Sequence, residues 1–260
     1  MCALISTVKR IGLEMNRKKM LASAVQAAQQ AGNLLAEFDR DDVETAIGKD
    51  IKHKADKAAE AVIIKQLRSY DIPILSEEKG ESESFSAEGL FWIVDPLDGT
   101  MNYSRSNPFS CVSIALWDGK QPVLGVIYDF NRDELFSGIV GEGAWVNGSE
   151  MSVSNTKEKA QAILATGFPS YREFSDESLR EFIEQVQMYK KIRMFGAAAL
   201  SLAYVACGRV DVYIESDIML WDVAAGLALV CAAGGTYQLE NSSRGSWLCM
   251  VNAGAALELC

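Results

Sequence analysis

Apolar residues recur at intervals of three and four in two segments near the N-terminus. This spacing predicts an amphipathic helix over residues 20–38, with apolar positions from Leu21 to Phe38. A second helix is predicted over residues 55–69, with an apolar side formed by Ala58, Ala61, Val62, Ile63, Ile64 and Leu67. Residues 1–19 show no strong period, and we interpret them as an N-terminal extension.

Short apolar runs that end at charged residues or at turn sequences predict buried strands. Two such runs cover residues 72–75 and 90–94, and four more follow at residues 110–117, 123–128, 135–139 and 144–146. Asp118-Gly119 and Asn147-Gly148 are typical of hairpin turns, which favours antiparallel pairing around them.

The second half of the chain alternates between predicted helices and strands. Helices are predicted at residues 176–189, 197–207 and 221–233, and strands at residues 162–166, 210–214, 236–239 and 248–251. The chain thus begins with predicted helices, continues with mostly antiparallel strands and ends with this alternation. That order favours a layered α+β sandwich over a doubly wound parallel sheet. We divide the chain into an N-terminal half, residues 20–146, and a C-terminal half, residues 147–260.

Composition and charge narrow the classes of partner. The 260 residues carry 25 basic and 35 acidic side chains, a net charge of −10. This balance argues against nucleic-acid polymers and anionic membrane surfaces as partners. Six cysteines without a C-x-x-C pair predict reduced thiols, and the first residues do not form a secretory signal. The longest apolar runs are also shorter than the roughly 20 residues that span a bilayer, so we expect a cytoplasmic protein.

The most informative motif is Asp95-Pro96-Leu97-Asp98-Gly99-Thr100. We expect the preceding strand to carry Asp95 to its exposed end, and Asp98 to point at the same spot. Two carboxylates this close repel each other unless a proton or a cation lies between them, and Mg²⁺ prefers such oxygen ligands. Gly99 allows a sharp turn, after which backbone amides and the Thr100 hydroxyl can meet a phosphate. A D-x-x-D-G fragment alone is equally typical of an Asx turn.

Further acidic residues lie at comparable places. Glu77 and Glu78 directly follow the apolar run at residues 72–75, and Asp222 stands beside Trp221 at the start of an apolar helix. A carboxylate is favoured there by the helix dipole. Taken singly, these residues are also explained by a solvated loop at Glu77 and Glu78 and by an N-cap at Asp222.

Together these segments resemble the inositol monophosphatase family. The resemblance rests on Glu77-Glu78, on the segment Trp92-Ile93-Val94-Asp95-Pro96-Leu97-Asp98-Gly99-Thr100-Met101-Asn102-Tyr103, and on Glu215, Trp221-Asp222-Val223-Ala224-Ala225-Gly226 and Gly234-Gly235. It covers nearly everything from about Met20 to Val251. It implies an αβαβα layered fold of the sugar-phosphatase type, Mg²⁺-dependent and lithium-sensitive phosphatase activity, and a homodimer.

The resemblance also implies a set of metal ligands, with two or three Mg²⁺ ions per active site. Glu77, Asp95 and the carbonyl of Leu97 would hold the first ion. Asp95, Asp98 and Asp222 would hold the second.

Roles in catalysis and substrate binding follow from the same resemblance. Thr100 with Glu77 would position and deprotonate the attacking water, and the amides of Gly99 and Thr100 would hold phosphate oxygens. Asp50 and Asp56 match two early aspartates of the family, and Asp56 would orient the water network. The polyol would be contacted at Asp98, Gly196, Ala198 and Glu215.

Two features depart from the family pattern. Lys52, His53 and Lys54 stand between the early aspartates, where small hydroxylated residues are usual, and we interpret His53 as a surface or loop residue. The chain also ends at Cys260, where relatives usually continue into a closing helix.

The expected reaction is hydrolysis of a small phosphorylated metabolite by metal-activated water, with inositol monophosphate or a similar polyol phosphate favoured. Alternatives on the same metal core are adenosine bisphosphates, fructose bisphosphate and histidinol phosphate. A non-catalytic metal-binding relative is the other alternative.

Overall fold

A computed structural model describes residues 2–38, 43–47, 50–81, 89–168, 175–241 and 247–253; the side chains of residues 2–15, 43–47, 50–53 and 81 lie outside this description. Six α-helices occur in these parts: α1 (Cys2–Glu37), α2 (Lys54–Leu67), α3 (Thr100–Ser104), α4 (Asp176–Gln187), α5 (Ala198–Ala206) and α6 (Leu220–Ala232). Short 3-10 helices cover Arg68–Tyr70 and Lys159–Gln161.

The larger sheet has eight strands and is almost entirely antiparallel. In chain order these strands are β3 (Ile74–Ser76), β4 (Gly80–Glu81), β5 (Phe91–Asp98), β6 (Cys111–Trp117), β7 (Pro122–Asp129), β8 (Glu134–Ile139), β9 (Gly143–Val146) and β10 (Ser149–Glu150). Their spatial order is β10-β9-β8-β7-β6-β5-β3-β4, and the pair β3–β5 alone is parallel within this sheet. A separate hairpin joins β1 (Val43–Ile47) to β2 (Asp50–His53).

The smaller sheet has five strands and is mixed. It contains β11 (Ile163–Thr166), β12 (Lys191–Arg193), β13 (Val212–Ile218), β14 (Thr236–Asn241) and β15 (Trp247–Asn252) in the order β12-β11-β13-β15-β14. The strands β12, β11 and β13 are parallel, whereas β15 runs antiparallel to both of its neighbours.

Helices cover the faces of both sheets and produce five layers. One apolar cluster joins α1 and α2 to the first face of the eight-stranded sheet. A second lies between the sheets and is built on the almost completely buried α5 and α6. The third covers the outer face of the smaller sheet, where Val186 of α4 and Tyr189 pack on β11 and β13. The predicted αβαβα sandwich is therefore confirmed.

Most predicted elements are found, with differences at their boundaries. The first helix begins at Cys2, so residues 2–19 continue α1 and the predicted helix start at Met20 was wrong. The hydrophobic pattern of the sequence did not predict the short strands β1, β2 and β12. Asn147 and Gly148 both have positive φ angles, 48° and 78°, as a type I′ hairpin turn requires.

The buried side of α2 is the predicted one only in part, at Ile63, Ile64 and Leu67. The helix buries Ala55, Asp56, Ala59, Glu60, Ile63, Ile64 and Leu67, whereas Ala61 is exposed. Two carboxylates four residues apart, Asp56 and Glu60, thus face the core beside the apolar residues. A sequence pattern that counts only apolar positions misses this face.

Two further expectations concern the whole chain. No helix among the described residues is both long and apolar enough to cross a membrane. The thiols of Cys111, Cys207, Cys231 and Cys249 are free, as predicted, whereas those of Cys2 and Cys260 lie outside the described parts. The predicted match at Asp50, the departures at Lys52 and His53, and the end of the chain after residue 253 also concern side chains or residues outside the description, whereas Lys54 is the exposed first residue of α2.

Candidate active site

Asp95 lies inside β5 and not at its exposed end. The strand continues through Pro96 to Asp98, and Asp95 is 1% exposed. The pairing with β6 shifts register between Asp95 and Asp98, so Pro96, which has no amide hydrogen, falls in an irregular stretch where no ladder bond is required. The amide of Leu97 donates to Asp95 Oδ1 at 3.0 Å. The irregularity thereby turns the Asp95 carboxylate back towards its own backbone.

Glu77 meets Asp95 because the two strands that carry them are parallel. Ser76, the last residue of β3, is paired with Val94 of β5, and the Glu77 amide donates to the Val94 carbonyl at 3.1 Å. Glu77 follows directly, and its carboxyl group lies close enough to that of Asp95 for each to shift the pKa of the other. Residues 77 and 95 are thus brought together at the carboxyl edge of the same sheet.

Asp98 links the end of β5 to the start of α5. The amide of Ala199 donates to Asp98 Oδ2 at 2.8 Å, and the Cys111 thiol donates to the same oxygen at 3.7 Å. The helix dipole favours a carboxylate at this place. Asp98 therefore connects the two halves of the chain as well as belonging to the acidic cluster.

Asp222 enters the cluster from α6. It occupies the third position of the helix, where its Oδ2 accepts a hydrogen bond from the Met219 amide at 2.9 Å. The simpler interpretation of Asp222 as a capping residue is thus partly correct, although the residue before the helix is Met219. Capping uses one of the two carboxylate oxygens.

The pKa values of the four carboxyl groups are all raised. Burial is the largest cause in each case. Neighbouring carboxylates add to it at Glu77, Asp95 and Asp222, whereas hydrogen bonds from the Ala199 amide and the Cys111 thiol oppose it at Asp98. Burial raises the pKa of Glu77 to about 7 and that of Asp98 to about 6. The pKa of Asp95 and that of Asp222 lie well above their usual range. Asp56 contributes a further negative charge near Glu77.

The chemistry of this cluster fits a hard divalent cation. Gathered carboxylates need a proton or a cation between them, and the strongest influences on their pKa values include no positively charged group from the described parts of the chain. In the same parts, no three Asp, Glu, His or Cys side chains are arranged so that they could hold a metal ion by themselves. The backbone amides of Leu97, Ala199 and Met219 each donate to an oxygen of one of the clustered carboxylates. Mg²⁺, which keeps several waters, requires only part of a cage.

The turn after β5 brings Thr100 back towards the strand. Gly99 has a φ angle of 83°, and a Cβ atom there would lie 2.5 Å from the Phe109 carbonyl oxygen, so both the backbone conformation and the space require glycine. Helix α3 begins at the next residue, and the Thr100 hydroxyl donates to the Leu97 carbonyl at 3.0 Å. The carbonyl predicted as a metal ligand is therefore in contact with the hydroxyl predicted to position water.

The residues predicted to contact a polyol lie around the same edge. Gly196 accepts a hydrogen bond from Asn102 Nδ2 at 3.1 Å, and Ala198 is the first residue of α5, beside the amide that binds Asp98. Glu215, on β13, accepts a hydrogen bond from the buried Tyr213 hydroxyl at 2.8 Å and contributes to raising the pKa of Asp222. Ala198 and Glu215 thus border the acidic cluster, whereas Gly196 is bonded to Asn102 of α3.

Sequence reasoning missed several residues that support the site. Cys111 contacts Asp98, Tyr213 orients Glu215, and Glu60 contacts the turn that carries Glu77. One signal for Glu60 exists in the sequence, since it lies four residues after Asp56 and three before Ile63 on one side of a helix. Cys111 and Tyr213 offer no such signal.

Comparison with known proteins places the fold in the layered αβαβα class. The structure of inositol monophosphatase from Anabaena (Nostoc) sp. PCC 7120 aligns with a TM-score of 0.81 and 37% identity over 92% of each chain. The model of the inositol monophosphatase family matches residues 16–256. The chain belongs to the inositol monophosphatase family.

Proteins called Nus factor SuhB are similar over most of the chain. The one from Xylella fastidiosa is 43% identical over 218 residues, which cover 81% of this chain and 78% of the relative. The one from Escherichia coli K12 is 41% identical over 223 residues, which cover 83% of both chains.

Proposed function

We propose that this protein is a Mg²⁺-dependent phosphomonoesterase that hydrolyses a small polyol phosphate, with inositol monophosphate as the favoured substrate. The observation that carries the proposal is the convergence of Glu77, Asp95, Asp98 and Asp222 from three separate parts of the fold, the turn after β3, strand β5 and helix α6, each carboxyl group with a raised pKa. Membership of the family supports the same reaction.

In this proposal the acidic residues hold the metal. Glu77, Asp95 and the Leu97 carbonyl would bind one Mg²⁺, and Asp95, Asp98 and Asp222 a second. When bound, Mg²⁺ lowers the pKa of a coordinated water and neutralises charge on the phosphate and the leaving oxygen. The resemblance also allows a third ion. It further implies lithium sensitivity, which is checked by adding Li⁺ to the phosphatase assays described below.

The chain's own groups would orient and deprotonate the water. Glu77 would accept the proton that the attacking water releases. Thr100 and Asp56 would hold the water in line with the phosphate, and the amides of Gly99 and Thr100 would bind phosphate oxygens. The Tyr213 hydroxyl donates to one oxygen of Glu215 and so fixes the orientation of this carboxylate. In this orientation Glu215 would accept hydrogen bonds from polyol hydroxyls.

A phosphate panel tests this proposal. Purified protein is assayed with Mg²⁺ on inositol monophosphate, adenosine bisphosphate, fructose bisphosphate and histidinol phosphate, and kcat/KM is compared. We expect the highest value for inositol monophosphate. A clear preference for another member of the panel would replace the polyol substrate by that compound. Mg²⁺ binding without hydrolysis of any of them would favour the non-catalytic relative.

A second candidate function comes from the name of the similar proteins. Nus factor is a name that points to transcription complexes, and relatives over 40% identical carry it. We therefore keep a Nus-factor role as the alternative. Copurification of transcription-complex proteins with the native protein would support it, and copurification with an Asp95→Asn variant as well would separate this role from the metal site. The expectation that nucleic-acid polymers are poor partners is tested by adding RNA to the same binding assay.

The homodimer implied by the family is also part of the proposal. Sedimentation equilibrium of the purified protein gives its mass directly, and we expect twice the mass of one chain. The cytoplasmic location stays a prediction, which fractionation of the source cells would check.

A further inference from the structure

Glu60 is a buried carboxylate outside the acidic cluster. It lies on the core-facing side of α2 and is 0% exposed. The Ser76 hydroxyl donates to Glu60 Oε1 at 2.5 Å, and the Lys79 amide donates to the same oxygen at 3.1 Å. The Lys79 ammonium lies 3.0 Å from Oε2. Because a buried charge is costly unless it is paired and hydrogen-bonded, these contacts are what permits a glutamate here.

The partners of Glu60 lie on both sides of Glu77. Ser76 is the residue before it and Lys79 the second residue after it, so Glu60 holds the two ends of the turn formed by residues 77–79. The strands on either side are short and contribute only the pairs Leu75–Glu81 and Ser76–Gly80 to each other. A carboxylate that reaches across from α2 therefore supplies a large part of the hydrogen bonding that fixes this turn.

We propose that Glu60 is a positioning residue, which fixes the backbone of the turn and so the direction in which Glu77 presents its carboxyl group to Asp95. This inference rests on the proposed function, in which Glu77 and Asp95 share a Mg²⁺ ion. Groups that hold metal ligands in place typically affect metal affinity or activity by about 10- to 100-fold. Glu60 thus acts on the metal site through Glu77 and touches neither metal nor substrate.

The test measures Mg²⁺ affinity of the metal-free protein by calorimetry at 25 °C, together with kcat and KM. Glu60→Gln keeps the size of the side chain and one oxygen but removes the charge that attracts Lys79. We expect Mg²⁺ to bind about 10-fold more weakly or worse, and kcat to fall with little change in KM at saturating Mg²⁺. Ser76→Ala removes one of the hydrogen bonds, and we expect a smaller loss in the same direction.

Glu142→Gln is the matched control. Glu142 is a partly buried glutamate in the turn between β8 and β9, and its Oε2 lies 3.6 Å from the Lys18 ammonium. The same substitution there should leave Mg²⁺ affinity and kcat at the native values.

The outcomes separate this inference from the proposed function. A native protein that binds no Mg²⁺ would overturn both. Native protein that binds Mg²⁺, with Glu60→Gln and Ser76→Ala variants that are folded by circular dichroism and bind it equally well, would overturn the positioning role alone. A lower Tm with unchanged Mg²⁺ affinity would also overturn it, because Glu60 would then stabilise only the fold. If Glu60→Gln does not fold, the Ser76→Ala result decides.

Discussion

At the scale of single residues, Asp95 combines two tasks in one side chain. One carboxylate oxygen accepts a hydrogen bond from the Leu97 amide, and the neighbouring Glu77 carboxyl group helps to raise the pKa of Asp95. The first contact shapes the end of β5, and the second belongs to the acidic cluster. An isosteric substitution can separate these tasks, because asparagine keeps an oxygen for Leu97 but carries no charge.

Asp95→Asn should therefore lose activity and keep its fold. A metal ion contributes several kcal/mol of transition-state stabilisation, so we expect kcat/KM to fall by about 10³-fold or more. In metal-free protein the Tm should be unchanged or higher, since one repelling carboxylate is removed. Asp118→Asn, at an exposed turn, is the control and should behave like native protein. Normal turnover in Asp95→Asn would contradict its assignment as a shared ligand.

Thr100→Ala should lower kcat by roughly 10²-fold, the usual contribution of a positioned acid–base group. The Thr100 hydroxyl donates to the Leu97 carbonyl, so its orientation towards the site is fixed. Thr100→Ser keeps the hydroxyl and should retain most of the activity. Steady-state kinetics of both variants measure this, and equal kcat values for alanine and threonine at position 100 would exclude a role in positioning the water.

At the scale of elements, α3 is fastened to the loop that precedes α5. Asn102 Nδ2 donates to the carbonyls of Phe109 and Phe195 at 2.8 Å and of Gly196 at 3.1 Å. Asp98, which lies two residues before α3, makes a second link to the same region by accepting a hydrogen bond from the Ala199 amide of α5. The bonds to Phe195, Gly196 and Ala199 span 93, 94 and 101 positions in sequence, and they hold the predicted phosphate-binding turn against the predicted polyol-binding loop.

Asn102→Asp should destabilise the protein, because it replaces a donor that serves three carbonyls by an acceptor. At about 1 kcal/mol for each lost hydrogen bond, we expect the free energy of unfolding to fall by about 2–3 kcal/mol. Urea unfolding measures this. Asn107→Asp is the control: its side chain donates a single bond, to Asn102 Oδ1, so its loss should be about 1 kcal/mol. Equal losses in the two variants would show that Asn102 does not fasten the elements.

Most helices and strands could be predicted from the sequence, whereas the residues at which they begin and end were less predictable. Apolar periodicity found α2, since it reports a local pattern that every turn of a helix repeats. A continuous apolar run that ends at Gly234-Gly235 indicated α6. It placed the end of β5 too early because Pro96 and two aspartates are poor strand formers. Only the pairing of β5 with its neighbours on both sides keeps these residues extended.

At the scale of the whole molecule, the acidic cluster makes stability depend on pH and on metal. The pKa of Glu77 rises from 4.5 to about 7 and that of Asp98 from 3.8 to about 6 on folding. A carboxyl group with a raised pKa stabilises the fold while it is protonated, and this contribution is lost as pH rises through the folded pKa. The metal-free protein therefore loses stability at the cluster between about pH 4 and pH 7.

Added Mg²⁺ should thus stabilise the protein more at pH 8 than at pH 5. At pH 5 protons compete with Mg²⁺ for the carboxylates. At pH 8 the carboxyl groups have lost their protons, so Mg²⁺ binds more strongly. Because it binds the folded state, this binding raises Tm. Thermal unfolding with Mg²⁺ or with a chelator measures the difference at each pH. Glu77→Gln should reduce the pH dependence of this difference. A Mg²⁺-induced rise in Tm that is equal at both pH values would contradict the account of the cluster.

The sequence by itself determined the types of most elements, the layered class of the fold, and the residues whose chemistry suits a metal and a phosphate. These depend on local periodicity and on motifs such as the one from Asp95 to Thr100. Tertiary structure decided that Glu77 meets Asp95 across a parallel strand pair, that Asp98 is bonded to α5, and that Glu60 is buried beneath the turn. Contacts between residues far apart in the chain create these relations, and the burial that shifts the pKa values exists only when all the layers have packed together.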